Sequence, residues 1–100
     1  MTIDPDSIRI ESGNGRSRYV YDLPDGSQAV LDFFEVPAGV VTIDHTETPT
    51  KHRNQGIGGA LVARAVEDFR AAGKKVIPAC PFAYREFRQH PEWADLLIND

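Results

Sequence analysis

The sequence predicts a small α+β domain in which a mostly antiparallel, twisted sheet is followed by a β-α-β-α segment. Before residue 48, short β-rich segments alternate with turn residues, which is typical of an antiparallel meander. After Pro49, apolar residues recur every three or four positions, which indicates an amphipathic helix. This helix lies between two strand-like segments, and a crossover of that kind sets the two strands parallel on either side of the main helix.

Four strands are predicted in the first half of the chain, with the sequences SIRIE, SRYVYDL, QAVLDFFEV and VVTIDHTE. The segments Asn14–Gly15, Pro24–Ser27 and Pro37–Gly39 separate them and supply the backbone angles of tight turns. Side chains alternate along the second and fourth strands, so that Ile43 and His45 are expected to share one face. We therefore expect one covered and one more exposed face of the sheet.

The second half of the chain predicts a helix, a strand and a second helix. The first helix starts near Ile57 and ends at Gly73, a residue typical of helix C-termini. KKVIPA, residues 74–79, predicts a buried strand, and PFAYREFRQH, residues 81–90, predicts a shorter helix that ends before Pro91. The last segment, EWADLLIND, is ambiguous. Without a repeat or linker, residues 1–100 are expected to form a single domain.

Composition limits the possible functions. One hundred residues with 41% hydrophobic content fit one modest core. The net charge is −4 and the basic residues are dispersed, so nucleic-acid binding is not expected. The only cysteine, Cys80, excludes an internal disulfide and lacks the close spacing to histidine of a metal site. No apolar stretch has the length of a signal sequence or membrane span, so a soluble cytoplasmic protein is expected.

The segment RNQGIGG stands where the first helix begins, although glycine destabilises a helical turn. Glycines there leave room for a ligand, and free N–H groups at a helix start bind anions. A P-loop and a dinucleotide fingerprint both require residues that are missing. The pyrophosphate of coenzyme A fits, and a purely structural turn is the alternative. The expected cofactor-binding residues here are Arg53, Asn54, Gln55, Gly56, Ile57, Gly58 and Gly59.

Four motifs together resemble a known family. Residues 53–58 match its R/Q-x-x-G-x-G/A loop position for position, and they are joined by HTE at His45, CPF at Cys80 and HPEW at His90. In this order they resemble a compact branch of the GNAT superfamily of acyl-CoA-dependent N-acetyltransferases, over roughly residues 17–97. The resemblance implies a GNAT-like fold, acetyl-CoA as the cofactor, and a primary amine that attacks the thioester directly.

The resemblance also implies roles for the end of the fourth strand. Backbone near Thr46, Glu47 and Thr48 would hold the pantetheine and acetyl group where the fourth and fifth strands part. His45 and Glu47 are candidates to take the proton of the amine, because they lie two residues apart on one strand. The alternative is a histidine satisfied within the sheet and a carboxylate paired with a base such as Lys51.

Two further residues are candidate catalytic groups. Cys80 follows the fifth strand, so it could accept the acetyl group, or it could be a small buried hydrophobic residue near that group. Many members of the superfamily protonate the thiolate with a tyrosine on the helix after this strand. Here that position is Phe87, so Tyr84, one turn earlier, or water is expected to replace it; aromatic packing is the alternative role for Tyr84 and Phe87.

The chain is shorter than typical superfamily members, because Asn14–Gly15 stands where two helices would be. The acceptor side is therefore expected to be open, so that the acceptor is large, for example a protein amine, or a second subunit completes the site. We expect a monomer or weak homodimer. The first hypothesis is an N-acetyltransferase. The alternatives are a non-catalytic CoA or acyl-CoA sensor or interaction module and, last, a small interaction domain with a structural glycine turn.

Overall fold

The computed structural model describes residues 3–98. Four strands, a helix, a strand and a second helix occur in the predicted order. The ambiguous C-terminal segment begins with a 3-10 helix over Pro91–Leu96, and its last two residues lie outside the described range. Further 3-10 turns are Pro5–Ser7 and Thr50–His52. The strands are β1 (Ile8–Gly13), β2 (Arg16–Asp22), β3 (Gln28–Glu35), β4 (Val40–Glu47) and β5 (Lys75–Pro78), and the helices are α1 (Ile57–Ala71) and α2 (Pro81–Gln89).

The five strands form one sheet in the order β1-β2-β3-β4-β5. The first four strands pair antiparallel with their neighbours, as a meander does. Helix α1 then crosses over, and β5 pairs parallel with β4. The predicted fold class, a mostly antiparallel α+β sheet with one parallel pair around the main helix, is confirmed.

Both helices pack on the same face of the sheet and enclose one core. The three- and four-residue spacing of α1 buries Ile57, Leu61, Ala65 and Phe69 against that face, all at most 4% exposed. Tyr19 lies at the centre of the sheet side, with its ring 5.3 Å from the ring of Phe33 and 6.3 Å from that of Phe69. This helix-covered face is the covered face that the strand alternation predicts.

The opposite, open face of the sheet is more charged, but it is not uniformly exposed. Val20 and Val30 are direct partners on this face and are 0% and 7% exposed. The expectation of a wetter face is therefore wrong at these two positions. In register, Val20 is next to Arg9, and long charged side chains cover apolar neighbours with their aliphatic stems.

The strand predicted over residues 74–79 is shorter and only half buried. In β5, Val76 is fully buried, whereas Ile77 is 40% exposed. The prediction of a buried strand is wrong for Ile77, because β5 is an edge strand and the helices cover one face of the sheet only. Successive side chains of a strand point to opposite faces, so Ile77 points to the uncovered one.

A β-bulge in β4 determines where the site forms. Asp32 pairs with His45 but Phe33 pairs with Ile43, so Asp44 has no partner in β3. The extra residue moves His45 to the open face while Ile43 stays in the core, which corrects the prediction that these two share a face. Thr46, paired with Leu31, returns to the helix-covered face.

The parallel pairing between β4 and β5 stops just before this bulge. The last partners are Ile43 and Pro78, and the backbone N–H groups of Ala79 and Cys80 both donate to the carbonyl of Ile43, at 2.9 and 3.1 Å. The chain then turns into α2, so beyond the bulge β4 keeps β3 on one side and has no strand on the other. A gap opens there between β4 and β5.

Candidate functional site

A cavity of about 770 Å³ fills the gap between β4 and β5 and extends to the start of α1. It is lined by the end of β4, the loop before α1, the first turn of α1 and one side of α2. The predicted residues that line it are His45, Thr46, Glu47, Thr48, Arg53, Asn54, Gly56, Ile57, Gly58 and Gly59. Three other predicted residues, Gln55, Cys80 and Tyr84, are not part of its lining.

The loop before α1 takes a conformation that depends on its residue types. Asn54 and Gly56 have φ angles of 66° and 81°, in the left-handed region that asparagine and glycine tolerate best. Gly56 is the N-cap of α1 and has no side chain to cap it, and the first helical hydrogen bond runs from the N–H of Ala60 to its carbonyl. The N–H groups at the start of α1 therefore remain available to a ligand.

The start of α1 also suits an anion electrostatically. The aligned peptide dipoles place partial positive charge at this end of the helix, and its first turn contains no acidic residue. Arg53 lies directly before the loop and donates from Nε to the carbonyl of Thr48 at 3.2 Å, which ties the loop to the end of β4. An anion at this helix start would be held by backbone N–H groups with an arginine beside it.

Two of the glycines also permit close packing of α2. A Cβ atom at Gly58 would lie 2.6 Å from Cζ of Phe82, and one at Gly59 would lie 3.2 Å from Oε1 of Glu86. The structural explanation of the glycines therefore applies at Gly58, where the Phe82 ring takes the space of a side chain. This packing does not compete with ligand binding, because the ligand would bind the backbone N–H groups and not the space of the missing side chain.

The structure adds lining residues from α2 that the sequence did not place in the site. Arg85 and Glu86 line the cavity together with Phe82. The glycine pattern gives no sign of these residues, because they come from a helix that follows the loop by more than twenty positions. His52 also lines the cavity, and its Nε2 lies 3.0 Å from Oδ2 of Asp25.

The two candidate bases lie side by side at the end of β4. His45 Nε2 is 3.3 Å from Glu47 Oε1, and their side chains are 51% and 64% exposed. Lys51, the other partner considered for Glu47, instead lies 3.5 Å from Asp25. His45 and Glu47 point to the open face of the sheet, so the cavity reaches from the helix-covered side to the open side.

Cys80 lies on the other side of β4, behind the cavity wall. It is the N-cap of α2, and its sulfur accepts a hydrogen bond from the N–H of Ala83 at 3.3 Å. The sulfur is 3.7 Å from Oγ1 of Thr46, which does line the cavity. Cys80 is 6% exposed, so its thiol is a buried part of the cap of α2. The side chain of Thr46 lies between this sulfur and the gap.

The aromatic residues of α2 separate into three environments. Phe82 lines the cavity, whereas Phe87 is 5% exposed and packs against Trp93 with a ring distance of 5.4 Å. Tyr84 is 52% exposed, and its hydroxyl lies 3.5 Å from Nη1 of Arg88. The structure therefore does not bring Tyr84 together with His45 and Glu47.

Two further features are absent from residues 3–98. No group of three or more His, Cys, Asp or Glu residues in this range is placed to hold a metal ion. Within the same range, no helix combines the length and the apolar character needed to cross a membrane.

Comparison with known proteins identifies the family. No curated protein matches the sequence. A GCN5-like candidate N-acetyltransferase from Staphylococcus aureus, solved by NMR in solution, shares the fold with a TM-score of 0.69 at 23% identity, over 94% of this chain and 91% of that one. The family model of GCN5-related N-acetyl-transferases matches residues 18–96, which include the whole cavity. The chain therefore belongs to the GCN5-related N-acetyltransferase family, the GNAT superfamily.

Proposed function

We propose that this single domain transfers the acetyl group of acetyl-CoA to a primary amine, by direct attack of the amine on the thioester. One observation carries the proposal: a continuous cavity joins the uncapped start of α1, which suits phosphate, to the gap between β4 and β5. A ligand with an anionic end and a long uncharged arm matches this shape.

The residues present fit coenzyme A. The N–H groups of Ile57, Gly58 and Gly59 would hold the pyrophosphate, with Arg53 nearby, because helix starts bind anions. Beyond the bulge, β4 is still paired with β3, but its backbone groups over Thr46–Thr48 that face away from β3 have no strand beside them, and these would hold the amides of the pantetheine arm. Bound acetyl-CoA supplies an activated acyl group at the gap.

His45 and Glu47 would prepare the amine. An ammonium ion is not a nucleophile, so a proton must leave before the nitrogen can attack. An imidazole titrates near neutral pH, and Glu47 at 3.3 Å can orient the ring and stabilise it once it is protonated. Both side chains face the open side of the sheet, so we infer that the acceptor approaches from that side. The exposed position of the pair suits a large acceptor such as a protein amine.

A covalent acetyl-cysteine is the main mechanistic variant. It would need the Cys80 sulfur to leave its hydrogen bond with the N–H of Ala83 and to pass Thr46 into the cavity. Direct transfer requires no such movement. Cys80 is therefore assigned to the wall behind the acetyl group, and mass spectrometry of the protein after exposure to acetyl-CoA would detect the acetyl-cysteine if it forms.

A CoA-binding module without turnover is the second candidate function. It is favoured by one observation: within residues 3–98, no tyrosine lines the cavity, so the side chain that protonates the departing thiolate in many superfamily members has no counterpart there. In an exposed cavity a water molecule can serve instead, and for this reason we retain the enzyme as the primary proposal.

Product formation distinguishes the two functions. Lysine-containing peptides are incubated with the protein and acetyl-CoA, and acetylated amine is measured by mass spectrometry. Glu47→Gln is expected to lower kcat by up to about 10²-fold while CoA affinity stays unchanged, because His45 loses the carboxylate that stabilises its protonated ring and general base catalysis is typically worth 10²-fold or more. Glu92→Gln makes the same chemical change outside the cavity and is expected to have no effect. Coenzyme A binding without product from any amine would instead establish the binding module.

A further inference from the structure

His52 and Asp25 form a pair that connects the cavity to a distant turn. Asp25 lies in the turn between β2 and β3, and His52 closes the 3-10 turn before the glycine loop. The His52 side chain is 19% exposed and lines the cavity, and its Nε2 is 3.0 Å from Oδ2 of Asp25. Asp25 takes part neither in the proposed binding of phosphate by the N–H groups of the loop nor in the proposed acetyl transfer.

We propose that binding of the coenzyme A phosphates is coupled to the uptake of one proton by His52, and that Asp25 is the positioning residue that imposes this coupling. The inference rests on the proposed cofactor site, and it assigns Asp25 a role in that site although Asp25 does not touch the cavity.

The orientation of the pair determines which ring nitrogen carries a proton. Asp25 also accepts hydrogen bonds from the backbone N–H and the hydroxyl of Ser27, at 3.0 and 2.6 Å. The hydrogen bonds from His52 and Ser27 hold the pKa of the Asp25 carboxyl well below its usual range, so Asp25 is ionised at neutral pH. An ionised carboxylate only accepts, so Nε2 of His52 must be the donor.

This arrangement leaves Nδ1 of the neutral ring without a proton to donate. A neutral imidazole with its proton on Nε2 has a lone pair on Nδ1, which repels a phosphate oxygen. Among the described residues no partner occupies Nδ1 of His52. One proton taken from solvent converts Nδ1 into a charged donor, and the bond to phosphate is then charge-assisted. Phosphate binding therefore favours the protonated ring, in which an N–H bond forms at Nδ1 as a solvent or buffer molecule gives up the proton.

Other charges near His52 determine how large the coupling is. On its own segment, Lys51 and Arg53 flank it, and Lys51 also approaches Asp25 at 3.5 Å. The remaining charged residues that line the cavity are His45 and Glu47 of β4 and Arg85 and Glu86 of α2. None of the interactions resolved for these six side chains places a second carboxylate on His52, which leaves Asp25 as its acidic partner within residues 3–98.

Isothermal titration calorimetry with coenzyme A tests the coupling. The binding enthalpy is measured near pH 7.5 in buffers with different ionisation enthalpies, and the dependence on buffer gives the number of protons taken up. The wild type is expected to take up more protons than His52→Gln, by at most one, because only the wild type has an imidazole at this position that can gain a proton. Subtracting the proton uptake of His52→Gln from that of the wild type cancels any protons that the phosphates or His45 bind in both proteins.

Asp25→Asn tests the positioning role. Without the carboxylate, the neutral ring can place its proton on Nδ1 and donate to phosphate, so the extra uptake is expected to disappear. Asp22→Asn makes the same charge change three residues earlier, on a carboxylate held by Arg9 and Gln28, and is expected to retain the uptake. Nitrogen-15 NMR of the histidine rings in the wild type reports the tautomer directly, with Nε2 of His52 expected to carry the proton.

The outcomes separate the two levels of the proposal. Coenzyme A binding with equal proton uptake in the wild type and His52→Gln, or unchanged uptake in Asp25→Asn, would overturn the coupling and leave the cofactor site intact. A free protein in which Nδ1 of His52 carries the proton would also overturn it. Absence of any coenzyme A binding by the wild type would remove the proposed function and the coupling together.

Discussion

At the scale of single residues, Gly58 has a packing role as well as a place in the proposed cofactor loop. Its missing Cβ makes room for the ring of Phe82, at a separation of 2.6 Å from the Cβ position to Cζ. The sequence shows that glycines stand at a helix start, which predicts both a ligand and a tight turn. It cannot show which aromatic ring fills the space, because Phe82 is brought there by β5 and α2.

Gly58→Ala should destabilise the fold. Alanine in place of glycine favours a helix by about 1 kcal/mol, but overpacking against Phe82 costs typically 1–3 kcal/mol. In a Phe82→Leu background the clash is relieved, so the same substitution should become neutral or stabilising by up to about 1 kcal/mol. Urea unfolding of the four proteins measures both differences. A destabilisation of equal size in both backgrounds would contradict the contact with Phe82.

Tyr19→Phe should lower the free energy of unfolding by about 1 kcal/mol. The Tyr19 hydroxyl donates to Asp68 at 2.7 Å from a side chain that is 1% exposed. Burial and this bond raise the pKa of Tyr19 well above its usual range, so the hydroxyl stays protonated and donates. The loss stays modest, because Asp68 keeps Arg64 at 3.0 Å.

Tyr21→Phe is the matched control for Tyr19→Phe. Tyr21 is on the same strand and the same face but is only partly buried, and among the described residues its hydroxyl makes no hydrogen bond. Its substitution is expected to change the free energy of unfolding by less than about 0.5 kcal/mol. Urea unfolding compares the two variants, and equal effects would contradict a stabilising role of the bond to Asp68.

At the scale of elements, the bulge in β4 is what the sequence could not predict. The period of two along residues 41–45 contains no sign of a bulge, so it places Ile43 and His45 on one face. The register shift at Asp44 reverses this and sends His45 and Glu47 to the open side while Thr46 faces Cys80. A bulge depends on pairing with β3, which joins residues that are distant in sequence, so the periodicity within β4 cannot reveal it.

Helix α2 depends on one buried aromatic residue. Phe87 is 5% exposed and packs against Trp93, so Phe87→Ala should cost about 3–5 kcal/mol, a large share of the roughly 5–15 kcal/mol that stabilise a small domain. Tyr84→Ala, on the same helix but 52% exposed, should cost less than about 1 kcal/mol. Chemical unfolding followed by circular dichroism compares the two variants, and a smaller loss for Phe87→Ala than for Tyr84→Ala would contradict the packing.

At the scale of the whole molecule, the order of elements was predictable because each half of the chain has a clear period. A β meander separated by glycine and proline turns, followed by one helical period, admits few topologies once right-handed crossovers are required. Long-range pairs were not predictable. His52 and Asp25 are 27 residues apart, and only the folded sheet brings the two turns together.

The stability of the whole molecule should decrease in acid. Within the described part of the chain, five carboxyls have lowered pKa values because each accepts a hydrogen bond from an arginine, lysine or histidine side chain, and these are Asp22, Asp25, Glu35, Glu92 and Asp95. A lowered pKa in the folded state contributes stability above the unfolded pKa of about 4, and this contribution is lost as pH falls through the folded value. Urea unfolding at pH 7, 4 and 3 should show a falling midpoint below about pH 4; a midpoint that rises on acidification would contradict this.

The central claim is that one cavity holds acetyl-CoA along the glycine loop and the gap beside β4. It is tested most directly by an amide NMR titration of the labelled protein with acetyl-CoA. Shifts are expected to concentrate at Gly56, Gly58, Gly59, Thr46 and Cys80, with little change in the β1–β2 hairpin at the far edge of the sheet. If millimolar acetyl-CoA leaves those five amides unchanged, the cavity is not a cofactor site, and the glycines serve only the turn and the packing of Phe82.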